Sequence, residues 1–171
     1  MATFDPSSRR TFLRAAALAS AGLLGSGAIG RSERLLAAVA GAGPGPDDPE
    51  VPNEVVAKIL QDISRGRPIT RGHLSLDMPA AAEDGRVVPA IIESDLPMTA
   101  ERYVKAVHLV VDFNPDAHLA VYELSPAIGT VSLSTRIKMK RSTWVRAIAE
   151  TSTGELWAAY AHVNVTLNGC G

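Results

Sequence analysis

From His73 onward, apolar side chains return at every second residue, and that period commits this part of the chain to strands. The cleanest run is Thr130–Met139. Val131, Leu133, Thr135, Ile137 and Met139 point one way, and Ser132, Ser134, Arg136 and Lys138 point the other. This is the pattern of a half-buried antiparallel strand. The longest run is Glu155–Leu167, with Trp157, Ala159, Ala161, Val163, Val165 and Leu167 inward and Ala158, Tyr160, His162, Asn164 and Thr166 outward. His73–Met78, Val87–Glu93, Tyr103–Phe113, His118–Leu124 and Thr143–Thr151 complete a set of seven. In Tyr103–Phe113, Val107, Leu109, Val111 and Phe113 line one face, and Ala106, His108, Val110 and Asp112 line the other. Glu83-Asp84-Gly85, Asn114-Pro115, Ser125-Pro126 with Gly129, and Ser152-Thr153-Gly154 supply the turns. Seven short strands with polar turns predict an all-β fold, an immunoglobulin-like antiparallel β-sandwich, with a small barrel as its competitor.

Ahead of the strands the period changes. Val55, Val56, Ile59, Leu60 and Ile63 fall at helical spacing, Asn53 is a good N-cap, Glu54 suits the first turn, and Gly66 and Pro68 end the helix. Residues 53–167 therefore form one helix-plus-sandwich domain. Residues 41–52, rich in Gly and Pro, read as a flexible linker.

Residues 1–40 read as an export signal. Arg9 and Arg10 form a twin-arginine pair, followed by Thr11, Phe12, Leu13 and Arg14. An Ala/Gly/Leu-rich run from Ala15 to Ile29 comes next, and Ala38-Val39-Ala40 offers the small residues a signal peptidase accepts. Arg31, Glu33 and Arg34 argue against a single membrane span. The expected location is the bacterial periplasm, with no membrane attachment after cleavage.

Charge narrows the partners. Residues 1–40 hold five arginines against Asp5 and Glu33, so the net charge of −1 for the whole chain becomes −4 beyond residue 40. An acidic domain has no electrostatic reason to bind nucleic acid or anionic lipid. The motif survey is negative. His73, His108, His118 and His162 have no metal-motif spacing, and there is no G-x-S-x-G, no P-loop and no G-x-G-x-x-G after a strand. No metal, no cofactor and no self-sufficient active site are expected.

The single cysteine, Cys170, lies in Asn168-Gly169-Cys170-Gly171, just past the last strand. Residues 168–171 read as a flexible arm, and four residues reach about 13 Å at most. A lone thiol in an oxidising compartment has three uses. It can form an intermolecular disulfide, as in an exported immunoglobulin-like binding module. It can be a redox nucleophile, although no neighbouring base or cation lowers its pKa. It can carry a covalent group into the active sites of other proteins, and then catalytic residues elsewhere in the chain are not needed.

The chain resembles the SoxY family, the sulfur carriers of the bacterial thiosulfate-oxidising system. The resemblance rests on Val163-Asn164-Val165-Thr166-Leu167-Asn168-Gly169-Cys170-Gly171. It is joined by Ser94-Asp95-Leu96-Pro97-Met98-Thr99, Tyr103–Leu109, Asn114-Pro115, Ser134-Thr135-Arg136-Ile137 and Ala149-Glu150. Family tails usually place two glycines on each side of the cysteine; here Asn168 replaces the first and Gly171 stands alone. The resemblance implies a carrier rather than an enzyme, with sulfur intermediates held on Cys170. It implies a heterodimer with a second sandwich subunit, SoxZ. It also implies three processing partners: a haem-containing thiosulfate-coupling enzyme, a sulfate-releasing hydrolase and a sulfane dehydrogenase.

Overall fold

A computed structural model describes residues 48–167. Helix α1 (Glu54–Ser64) leads into nine strands among the described residues: β1 (Ile69–Arg71), β2 (Leu74–Asp77), β3 (Ala81–Asp84), β4 (Val88–Ser94), β5 (Val104–Val111), β6 (His118–Glu123), β7 (Val131–Ile137), β8 (Thr143–Thr151) and β9 (Leu156–Leu167). The strands form two sheets. One runs β1-β9-β8-β5-β6, with β3 also paired to β9, and the other runs β2-β4-β7. The expected all-β sandwich is present. Two short strands were not anticipated. β1 and β3 both pair with β9 in parallel, so the larger sheet is mixed rather than wholly antiparallel. Glu83 and Asp84 of the acidic turn expected at Glu83–Gly85 are the end of β3.

Both faces of the larger sheet are covered. Val107, Leu109, Val111, Val145, Ala147, Ala149, Val163 and Val165 pack against Val88, Ile92, Val131, Ile137 and Met139 of the smaller sheet and its flank. On the opposite face Val56 and Ile63 of α1 pack on Val110, Ile148, Leu156 and Ala158. This explains the nearly unbroken burial of Val145–Ala149 in β8, which lies between two covers. It also corrects the reading of β9. Ala158, expected to face outward, is fully buried beneath α1, whereas His162, Asn164 and Thr166 are exposed as expected.

Two apolar side chains depart from the stripe or face that the spacing gives them. Val55 lies on the far side of α1 and is 61% exposed. Phe113 leaves the strand with φ 62° and is 41% exposed, because the chain turns left-handed directly after β5. α1 itself starts as predicted, with the Asn53 side chain accepting from the Val56 N–H at 3.0 Å. It stops at Arg65, which is left-handed and donates its N–H to the Gln61 carbonyl.

One charged pair is buried in this layer. The Arg146 guanidinium, on β8, donates Nε to Asp112 Oδ1 at 2.9 Å and Nη2 to Oδ2 at 2.8 Å. Its remaining protons reach the carbonyls of Pro49 at 3.2 Å and Glu50 at 2.7 Å. The end of the segment expected as linker is therefore fastened to the sheet at Pro49 and Glu50; residues 41–47 lie outside the described residues. Each partner satisfies the other, which is what allows a charge to stay out of water.

On the same face His108 Nδ1 meets His118 Nε2 at 3.2 Å across β5 and β6. His108 Nε2 is buried without a hydrogen-bond partner. Burial, and then the neighbouring His118, hold the His108 pKa below its usual value.

Two predictions follow from this layer. Asp112→Ala strands the buried guanidinium and should cost about 3–5 kcal/mol in urea unfolding; a loss under about 1 kcal/mol would mean the pair behaves as a surface contact. For His108 the folded pKa lies below the ordinary 6.5. Between the two values the unfolded chain binds more protons, so stability should fall as pH drops below 6.5. His108→Gln should flatten that slope, and an unchanged pH profile would contradict the assignment.

Candidate functional site

The predicted site residues Cys170, Asn168, Gly169 and Gly171, and the signal residues Arg9 and Arg10, lie outside the described residues. The structure does describe the strand that leads to Cys170 and the surface from which that strand emerges.

β9 is bonded along both edges. On one side it pairs with β8, from Leu156 opposite Glu150 to Val163 opposite Thr143. On the other side β1 takes Leu156–Ala158, and β3 pairs Ala81 with Asn164, Ala82 with Val165 and Asp84 with Leu167. Side chains reinforce the last turns of the ladder. Ser142 Oγ accepts the Val165 N–H at 2.8 Å, where β8 has not yet begun. Thr166 Oγ1 lies 3.3 Å from the Ala82 carbonyl and 3.2 Å from that of Glu83. The Asn164 N–H donates to the Ala80 carbonyl at 2.9 Å. The strand is therefore held through Leu167, three residues before the thiol.

The surroundings of that exit are polar and charged. Asp84 accepts from the Arg86 guanidinium at 3.1 and 3.2 Å and from the Arg86 N–H at 2.8 Å. These hydrogen bonds lower the Asp84 pKa and keep it ionised. The loop between β7 and β8 is pinned by Asn114, whose Nδ2 donates to the Lys138 carbonyl at 2.7 Å and whose Oδ1 accepts the Lys140 N–H at 3.0 Å. Trp144 and His162, opposite each other on β8 and β9, stack edge to face with centroids 5.2 Å apart.

The remaining titratable groups are spread out. His73 meets Asp95 at 2.7 Å near one end of the smaller sheet, and His108 meets His118 on the larger one. Burial alone would raise the Glu150 pKa, but hydrogen bonds from Arg67 at 2.6 Å and Lys105 at 3.1 Å outweigh it and leave the pKa lowered. Among the described residues, no three His, Cys, Asp or Glu side chains converge as a metal site would require. What the described residues build is a well-bonded strand that ends three residues before Cys170.

Ser142 and Asn114 are the residues that sequence reasoning missed as part of this site. Asn114 was read as the turn that ends a strand and as part of a family-like segment, without a contact to the loop between β7 and β8. Its partners are 24 and 26 residues away, a separation that leaves no local signal.

Comparisons with known proteins place the chain. The model of the family described as "Sulfur oxidation protein SoxY" matches residues 60–170, a span that ends on the cysteine. Among solved structures, the sulfur carrier protein SoxY from Chlorobium limicola f thiosulfatophilum is similar, with a TM-score of 0.52 and 19% identity over 66% of this chain and 96% of that one. A superoxide reductase (neelaredoxin) from Ignicoccus hospitalis aligns with a TM-score of 0.46 and 16% identity over 55% of this chain and 80% of that one. No curated protein sequence matches. The solved SoxY agrees in fold, and the family match covers most of the chain including Cys170, so the chain belongs to the SoxY family of sulfur oxidation proteins.

Proposed function

We propose that this protein is a periplasmic sulfur carrier, exported by the twin-arginine route, that holds thiosulfate-derived intermediates on Cys170 and presents them to partner enzymes. The observation that carries the reading is the family match running to residue 170, the position of the chain's one cysteine. A strand held by β8 as far as Val163 and by β3 from Asn164 to Leu167 is a suitable base for presenting that thiol.

The chemistry requires only the thiolate from this chain. In loading, Cys170–S⁻ and thiosulfate (S2O3²⁻) join through a new S–S bond to give Cys170–S–S–SO3⁻. Two electrons leave to the haem-containing coupling enzyme, which would supply the electron acceptors. In hydrolysis, water cleaves the bond between the sulfane sulfur and the sulfonate. The products are sulfate, two protons and Cys170–S–S⁻, and a sulfane dehydrogenase would oxidise the sulfur that remains. The carrier contributes reach and exposure, and the partners contribute the electron acceptor and the general acid–base groups. The second sandwich subunit, SoxZ, would pair with this chain as a heterodimer.

Incubation of the processed protein with thiosulfate and the coupling enzyme should add one S2O3 unit to the intact mass. Cys170→Ser should abolish the gain. No adduct, or one that survives the substitution, would sink the reading. A product that is only a disulfide-linked dimer would favour the exported binding module instead. In a separate test, the chain mixed with the SoxZ-like subunit should elute as a one-to-one complex; a monomer that persists at micromolar concentration would contradict the heterodimer.

A further inference from the structure

The segment Arg136-Ile137-Lys138-Met139-Lys140-Arg141 runs from the last two residues of β7 into the connection to β8, and four of its six side chains are cationic. None of the four forms an ion pair among the described residues. Such a concentration is unexpected where the chain beyond residue 40 has a net charge of −4. The backbone here is firmly held. Met139 is fully buried and its N–H donates to the Gly85 carbonyl at 2.7 Å. Asn114 grips the residue on each side, and Ser142 is bonded to Val165 at 2.8 Å. Lys138, Lys140 and Arg141 are exposed from this fixed base, and the Arg141 guanidinium lies 3.8 Å above the exposed Phe113 ring.

Chain length then restricts what can meet them. Cys170 follows Leu167 by three residues, about 11 Å at full extension. A protein that encloses the thiol must bring the rim of its site against the surface where β9 emerges. The loop that ends at Ser142 belongs to that surface, because Ser142 is bonded to Val165. We propose that Lys138, Lys140 and Arg141 form the docking surface for the enzymes that load and unload Cys170, and that the matching surface on those enzymes is a carboxylate-rich rim around a narrow channel. Unpaired cations on a fixed loop attract such a rim before contact and orient the arm toward its mouth. This proposal rests on the carrier reading and adds to it the chemistry of the partner.

The test is loading of the full chain by the haem-containing thiosulfate-coupling enzyme, read by intact mass as carrier concentration and salt are varied. Lys138→Glu/Lys140→Glu should raise the KM for the carrier about tenfold or more at low salt, with kcat kept and the salt dependence reduced. The Gln double variant should fall between, and it serves if the Glu variant is poorly folded. Alkylation of Cys170 by iodoacetamide should proceed at the wild-type rate in both. An unchanged KM overturns the proposal and leaves the carrier reading standing. Unchanged KM with faster loss of the adduct from the isolated variant also overturns it, because the cations would then serve the arm's own sulfonate. Absence of any adduct on the wild-type protein would overturn the carrier reading and this proposal together.

Discussion

β9 is the constraint on which the rest of this structure depends. It is bonded to β8 along one edge and to β1 and β3 along the other, so the strand leading to Cys170 is interior to its sheet. An edge strand would leave a row of free amides and could fray or pair with another chain. The two parallel additions remove that freedom at both ends of β9, and Ser142 and Thr166 extend the hold to its last residues. The chain is thereby held as far as Leu167, three residues before Cys170.

The layers on either side serve the same strand. Val163 and Val165 anchor it in the core between the sheets, and Leu156 and Ala158 anchor its start beneath α1. The buried Arg146–Asp112 pair joins β8 to the end of β5 and also takes up the carbonyls of Pro49 and Glu50. Buried charge is weak evidence for stability, since an apolar replacement of similar volume can do as well. Here the pair has a more specific effect. It fixes the path of the chain just before α1, and with it the position of the helix that covers β9.

Much of this was legible in the residues. Period-two alternation located β7 and β9, and the bounds of Thr143–Thr151 were read as the structure has them. What escaped reading has a common physical cause, which is pairing between distant residues. Ile69–Arg71 and Ala81–Asp84 are too short to show a period, and they are strands only because β9 lies alongside. Asp84 looks like a turn residue because locally it is one, with its carboxylate on the Arg86 N–H. Phe113 obeyed the alternation on paper but sits one step past the end of β5, where a positive φ turns it to solvent. Cys170 stands out by its count and position alone; it lies outside the described residues, and the family match runs to it. The roles of Asn114 and Ser142 could not be read, since nothing in a sequence indicates which carbonyl 24 residues away an amide will meet.

A carrier differs from an enzyme in that a single group must serve several active sites in turn. The decisive measurement is therefore transfer. Protein loaded with thiosulfate and purified away from the coupling enzyme is given to the sulfate-releasing hydrolase, and sulfate and intact mass are followed together. The account predicts one sulfate released for each loaded Cys170, with the sulfane sulfur remaining on the same residue. A loaded protein that releases no sulfate, or that returns intact thiosulfate and a bare thiol, would contradict it.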